Sequence, residues 1–262
     1  MIAGRRSWLT VLAPLGLGVI LLSAWGLVVA PGTIPRYFLP TPPDVARELY
    51  SGLVSHADMW ELTGATMTEA LGGCLAGLVV ALPLAVVIYR SKVVSAAVLP
   101  FLGTTQAIPA IALAPLLVLW IGYGLGAIVT LCTLMVFFPI LVSSVVGFRH
   151  IDRDIIAAAQ VDGAGGLSLL AWIEIPLALP NILAGIRNGF TLSVTGAVVG
   201  EMVMGGRGLG TLLTVQRDAN NAAGMFATII QLAVLAALIY SAVSLVERRW
   251  SRLTAPLPKG RS

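Results

Sequence analysis

Charge is what this 262-residue chain has least of. Only 11% of its residues are Asp, Glu, Lys or Arg, under half of the roughly 25% usual in a soluble globular domain. That scarcity excludes an ordinary water-soluble globule. Histidine and cysteine are scarce as well, at two of each. His56 and His150 stand too far apart in sequence to form a catalytic or metal cluster. Cys74 and Cys132 lie in apolar stretches without metal-ligand spacing, which leaves them as buried packing thiols. No G-x-x-x-x-G-K-[ST] occurs anywhere, so the chain carries no phosphate-binding loop with which to hydrolyse ATP. It is expected to be no enzyme and to hold no metal or cofactor of its own.

Long uncharged runs are what the chain has instead. Crossing a hydrocarbon core of about 30 Å takes roughly 20 apolar residues. Ser7–Pro35, Ala70–Tyr89, Val93–Phe148 and Ala219–Val246 contain no charge at all. Val93–Phe148 is too long for one span, and the glycine-rich "WIGYGLG" at 120–126 supplies a turn within it. The pattern predicts an all-α, polytopic membrane protein forming one domain over 1–262. Its six spans fall near 8–30, 63–89, 99–119, 126–148, 180–201 and 222–246. The first could be a signal peptide behind Arg5 and Arg6, but its apolar stretch exceeds the 7–15 residues of a secretory core. The one plausible cleavage point is also followed directly by Pro31, so it is retained as a helix.

Lys and Arg are held on the cytoplasmic side of membrane spans. With the N-terminus inside, Arg5, Arg6, Arg90, Lys92, Arg149, Arg153, Arg187, Arg248, Arg249, Arg252, Lys259 and Arg261 fall on or near the inner face. Only Arg36, Arg47, Arg207 and Arg217 fall outside. Both termini are therefore expected in the cytoplasm. The net charge of +4 is a consequence of topology and gives no reason to expect nucleic acid.

The loops carry the remaining signals. Thr41-Pro42-Pro43-Asp44 combines a capping hydroxyl, prolines in the first turn and an acid at the positive end of a helix dipole. Val45, Leu49 and Leu53 then recur every four residues, predicting a short amphipathic helix. "MGGRGLGTLL" (204–213) is a glycine-rich segment on the outer side.

The cytoplasmic loop 149–179 holds "DIIAAAQVDGAGGLSLLAWIEIP". Asp152 can cap a helix starting at Arg153, with Asp154 in its first turn, and Gly163 can end it in the left-handed conformation of a C-terminal cap. About ten residues are too few for a stable isolated helix, so this one must pack on something. Ile155, Ile156, Ala158, Ala159 and Val161 cover more than one face. Two readings stand: contact with a second protein beyond its own bundle, or a helix lying on lipid headgroups.

The same stretch resembles the coupling loop of ABC-importer permeases, whose pattern is E-A-A, three residues, G, nine residues, then I-x-L-P. Here it reads Ala157-Ala158-Ala159, Gln160-Val161-Asp162, Gly163, nine residues, then Ile173-Glu174-Ile175-Pro176. Ala157 replaces the usual acid and Ile175 the usual leucine, leaving Arg153, Asp154 and Asp162 to supply charged contacts. "FLPTPPDV", "AIPAIALAPLLVLWIGYG", "FFPILVSSVVGFRHID", "LPNILAGIRNGF", "VVGEM" and "ERRW" look like the nitrate, sulfonate and taurine permeases in particular. The resemblance implies a homodimer in lipid, and two cytoplasmic ATPase copies that bind ATP and Mg and receive residues 153–163. It also implies an extracytoplasmic binding protein and a place in the plasma (inner) membrane. The substrate class it implies is a small anion such as a sulfonate, taurine or nitrate. A pyrimidine-like vitamin precursor or another small organic is the alternative.

Within the spans, Pro83, Pro109, Pro115 and Pro139 free carbonyls and fit either packing kinks or a moving bundle. Gly72, Gly73 and Gly77 allow close helix approach. Thr104, Thr105 and Gln106, then Asn188, Ser193 and Thr195, are uncharged hydrogen-bonding groups at membrane depth and candidates to line a pathway. Glu201, at the outer end of its span, is either such a group or simply solvated. A secondary transporter would need matched halves and a buried carboxylate pair, and neither is legible in the sequence.

Overall fold

The computed structural model describes residues 3–32, 34–55, 58–105 and 109–253. Among them there is no strand. A chain that must satisfy its own backbone in hydrocarbon has only the helix and the closed barrel to choose from, and this one takes the helix. In order, the helices are α1 (Ala3–Val29), α2 (Pro42–Tyr50), α3 (Asp58–Arg90), α4 (Lys92–Thr105) and α5 (Ala110–Ile121). There follow α6 (Leu125–Arg149), α7 (Arg153–Val161), α8 (Gly166–Leu169), α9 (Ile175–Met204), α10 (Leu209–Asp218) and α11 (Ala222–Leu253). Among the described residues, four stretches are long and apolar enough to cross a membrane: Met59–Arg90, Leu125–Arg149, Gly166–Met204 and Ala222–Glu247.

Two of the expected spans differ from the helices found. The stretch 99–119 is not one helix: α4 ends at Thr105 and α5 begins at Ala110 behind Pro109, which is extended (φ −63°, ψ 114°). Proline cannot donate to the preceding turn and biases the residue before it away from helix, so Pro109 starts a helix where a kink within one was expected. The span expected from residue 180 instead begins far upstream. Gly166–Met204 runs as one helical stretch of 39 residues, with a π-helical turn at Leu170–Glu174 and Pro176 in the first turn of α9. In a first turn the missing proline N–H costs nothing, and the wider turn ahead of it absorbs the misfit. Gly122 (φ 94°) and Gly124 (φ 108°) make the expected turn between α5 and α6.

The contacts form two compact units. One comprises Met1–Glu61 with Leu212–Leu232. There Val45, Met59 and Ala227 are buried among Trp25, Leu49, Leu53, Leu212 and Phe226, so α2 does use the predicted every-fourth-residue face. Thr41 caps α2 as its sequence indicated, its hydroxyl oxygen accepting from the Asp44 N–H at 3.3 Å while its O–H donates to Asp44 Oδ2 at 2.7 Å. That second bond, helped by Arg36 and Arg47, holds the half-buried Asp44 carboxyl below its ordinary 3.8. A carboxylate held down in this way stabilises the fold above the unfolded value, and its contribution fades as pH falls through the lowered one.

The other unit comprises Leu62–Thr211 with Ala233–Ser262, and its core lies on α6. Val136, Ile140, Leu141, Val145 and Phe148 of α6 are buried against Cys74, Ala81, Ala85 and Ile88 of α3 and Ala178 and Ile182 of α9. Close approach is what makes this possible. Cys132 is fully buried. A Cβ at Gly73 would collide with Cys132 Cβ on one side, and a Cβ at Gly196 would sit 3.3 Å from Cys132 Cα on the other. Both cysteines are free and buried, as expected of packing thiols. Gly73→Val should destabilise the chain by about 1–3 kcal/mol through overpacking. The melting temperature of the detergent-solubilised protein should fall accordingly, with little change for Gly64→Ala, whose Cβ meets open space.

Candidate functional site

Asp152 accepts a hydrogen bond from the Asp154 N–H at 2.9 Å and so caps α7. At the other end, Gly163 has φ 87°. Ala164 N–H donates to Ala159 O at 2.9 Å and Gly163 N–H to Gln160 O at 3.1 Å. These are the paired six-to-one and five-to-two bonds of a Schellman cap. Nine residues are thus closed at both ends by their own sequence.

What α7 lacks is cover. Of its residues only Ala159 is buried. Arg153, Asp154, Ile155, Ala157, Ala158, Gln160, Val161 and the adjoining Asp162 and Gly163 are all exposed. Val161 at 88%, Leu167 at 81% and Trp172 at 81% exposure extend an uncovered apolar surface beyond the helix itself. The expected docking residues therefore share one exposed element. Ile173 and Pro176 stand apart from it, half-buried where the chain re-enters the bundle.

Sequence reasoning missed the residue between them. Glu174, in the variable position of the I-x-L-P stretch, is 2% exposed. Its carboxylate is ion-paired with Arg90 at the end of α3 and accepts from Tyr89 O–H at 3.3 Å. Tyr89 in turn stacks on Phe148 of α6, with ring centroids 5.3 Å apart. An acid flanked on both sides by apolar residues was the available signal.

At the other end of α9, Glu201 is 1% exposed, which excludes the solvated reading. Its Oε1 accepts from Thr66 O–H at 2.7 Å and its Oε2 from the Gly210 N–H. The Leu209 N–H donates to Thr66 Oγ1 at 2.9 Å. A carboxylate from α9 thus occupies the N-terminus of α10, where free N–H groups and the helix dipole favour an anion. The glycine-rich segment lies directly over it: a Cβ at Gly208 would run into the carboxylate. Beside Glu201 lies Glu69, also buried: a Cβ at Gly206 would sit 3.6 Å from Glu201 Cγ and 3.8 Å from Glu69 Oε1, and Glu69 Oε2 has no hydrogen-bond partner among the described residues. The sequence reading had found no buried carboxylate pair. Glu69 and Glu201 are one, and a charged residue inside the expected span 63–89 was the clue.

The other expected pathway groups separate. Ser193 is fully buried and donates to Ala70 O at 2.7 Å, so it joins α9 to α3 and faces no opening. Asn188 and Thr195 are exposed, as is Thr191 between them. At this spacing the three form a polar stripe along one face of α9. Thr191, missed earlier, donates to Arg187 O at 3.2 Å. Thr104 and Thr105 lie in the last turn of α4 with side chains outside the described residues, and Gln106 is outside them altogether. Arg187, in α9, is neutralised by Glu247 at 2.6 Å and lies over the Tyr240 ring at 5.0 Å.

Among the described residues, four membrane-length apolar helices and a doubly capped short helix left uncovered, with no strand, define an all-helical multi-pass membrane protein. The chain belongs to the family of binding-protein-dependent transport system inner membrane components, whose model matches residues 73–252, and so to the transmembrane permeases of ABC importers. It is 38% identical over 249 residues to a riboflavin transport system permease protein of Chloroflexus aurantiacus, covering 94% of this chain and 92% of that one. It is 27% identical over 240 residues to a taurine transport system permease protein of Escherichia coli, covering 90% and 87%. Among solved structures, an inward-facing methionine ABC transporter matches with a TM-score of 0.66 at 21% identity, over 73% of this chain and 95% of that chain, which shows a shared fold.

Glu201→Ala should leave the Gly210 N–H and Thr66 O–H without their acceptor, at about 1–3 kcal/mol each. Hydrogen exchange at Leu209 and Gly210 should accelerate, while Glu201→Gln, which keeps an acceptor oxygen, should change it much less.

Proposed function

We propose that this chain forms half of the translocation pathway of an ABC importer, and that α7 with its Gly163 cap is the element through which a separate cytoplasmic ATPase drives it. The observation that carries this reading is a rigidly capped helix presenting apolar side chains to no partner of its own. Lipid headgroups would not require so intact a motif spacing or two caps. Two ATPase copies would supply ATP and Mg, one to each coupling helix of a homodimer. An extracytoplasmic binding protein would deliver substrate to the outer face. Six membrane crossings, with both termini and α7 in the cytoplasm, suit the distribution of Lys and Arg. The Asn188–Thr191–Thr195 stripe supports pairing with a second copy, since polar groups facing lipid are costly and a water-lined pathway between copies would cover them. Driving such a bundle from 1:99 to 99:1 takes roughly 5.5 kcal/mol of differential interaction, which nucleotide binding by the partner would provide.

For the substrate, the 38% identity to a riboflavin permease favours a vitamin-like or other small organic molecule over an oxyanion. The neutralised Arg187 agrees with this, since it leaves α9 without a free positive charge. The taurine permease at 27% keeps sulfonates as the second reading. Thermal-shift screening of the partner binding protein should show stabilisation by riboflavin or related heteroaromatics. Stabilisation by taurine or alkanesulfonates alone would favour the second reading.

Coupling is tested at Gly163. With φ 87° and open space around its Cβ position, Gly163→Val is penalised through the backbone alone, by roughly 1–2 kcal/mol or more. The spans should insert normally. Co-purification with the ATPase, or hydrolysis stimulated by loaded binding protein, should fall sharply. Ser168→Cys should assemble normally and be labelled only from the cytoplasmic side. Native mass spectrometry should give two copies of this chain with two ATPases; one copy beside a different permease would replace the homodimer by a heterodimer. Normal assembly and hydrolysis in Gly163→Val would remove α7 from the coupling role.

A further inference from the structure

The helix that would receive force from an ATPase is barely attached to the rest of its own chain. Ala159 is its one buried residue and Ile156 is half-buried, so little of α7 packs on the spans directly. Its nearest neighbours are α8 and the π-helical turn 170–174. That turn ends on Glu174, whose buried carboxylate holds the Arg90 guanidinium and the Tyr89 hydroxyl. Arg90 and Tyr89 are the last two residues of α3, and Tyr89 stacks on Phe148 near the end of α6.

We infer that the Arg90–Glu174 ion pair is the link that makes the coupling segment move together with α3, so that displacement of α7 is transmitted to a membrane-length helix. The inference rests on the reading of α7 as the ATPase-docking element. Glu174 is a positioning residue on this view: it touches neither the ATPase surface nor any pathway. Three features favour transmission over simple stabilisation. The pair joins segments 84 residues apart in sequence. It sits at the junction between exposed docking surface and buried bundle. Its acid is buried while its base is 41% exposed, so Glu174→Gln removes the pair without leaving an unpaired buried charge.

The test uses the permease co-purified with its ATPase in nanodiscs, with spin labels at Ser168→Cys and Val87→Cys on a Cys74→Ala/Cys132→Ala background. Distances are measured with and without Mg-ATP and vanadate. With the native pair, the Ser168–Val87 distance should stay constant on nucleotide addition. In Glu174→Gln and in Arg90→Gln it should shift by several ångström, while co-purification is retained. Stimulation of hydrolysis by loaded binding protein should fall roughly tenfold, with basal hydrolysis kept. Arg90→Lys, which preserves the charge, should restore both the fixed distance and most of the stimulation. A constant distance and an unchanged ratio of stimulated to basal hydrolysis in both Gln variants would overturn the inference, whatever happened to total activity. So would a shifting distance with the native pair, or loss of ATPase binding in both Gln variants. Failure of the parent chain to bind any ATPase would instead sink the functional reading on which the inference stands.

Discussion

Two acids that cannot reach water govern how this bundle is put together. Glu174 and Glu201 stand near opposite ends of the helical stretch 166–204, and each is almost fully buried. A buried carboxylate is tolerable only when charge-paired or fully hydrogen-bonded, so each dictates its surroundings. Glu174 takes Arg90 and Tyr89. Glu201 takes Thr66 and the N-terminus of α10. Both sets of partners include α3, so α3 and α9 are fastened to one another at both ends by polar contacts.

Between those fastenings the packing is apolar and close, with α6 in the middle. Hydrocarbon offers no hydrophobic drive for one apolar helix to leave lipid for another, and dispersion between closely packed backbones must do more of the work. Gly73 from one side and Gly196 from the other let α3 and α9 close on Cys132. Register along α6 follows. Ala178 lies against Gly147 near its C-terminus and Gly200 against Ile128 near its N-terminus, so α6 and α9 run antiparallel. The stretch 166–204, at 39 residues, is longer than the 25 residues of α6. At 1.5 Å per residue, 39 residues extend roughly 58 Å, nearly twice the hydrocarbon thickness. The surplus carries the π-helical turn, Glu174 and Trp172.

Much of this was legible in the sequence because it is written in local chemistry. The cap at Asp152, the left-handed Gly163, the Thr41 cap and the glycine turn before α6 each depend on a few adjacent residues. The packing role of both cysteines followed from their apolar runs. What was not legible depends on partners distant in sequence. Nothing near Glu201 announces that Thr66 lies beside it, so solvent was as good a guess as burial. Ser193 reads as a pathway group until Ala70 O is placed 2.7 Å away. Proline positions misled in both directions: Pro109 separates two helices, whereas Pro176 and Pro180 sit within one continuous helical stretch whose π turn absorbs the first of them.

The weak attachment of α7 is itself a consequence of these constraints. A nine-residue helix is marginal in isolation, and its stability here comes from two caps and the burial of Ala159 with half-buried Ile156. A helix anchored by a broad apolar face to its own bundle would have no face left for another protein. A helix with no caps would fray when not docked and lose conformational entropy on every engagement. Capping makes α7 rigid without making it adherent, and the task of holding it to the spans passes to the turn that follows. That division explains why the chain places a buried acid in an otherwise apolar turn, where a leucine would pack at less electrostatic cost. An apolar contact can slide by small increments, whereas a desolvated ion pair loses its Coulombic compensation as soon as its partners separate. For a segment proposed to follow a pull in both directions, the second behaviour is the useful one.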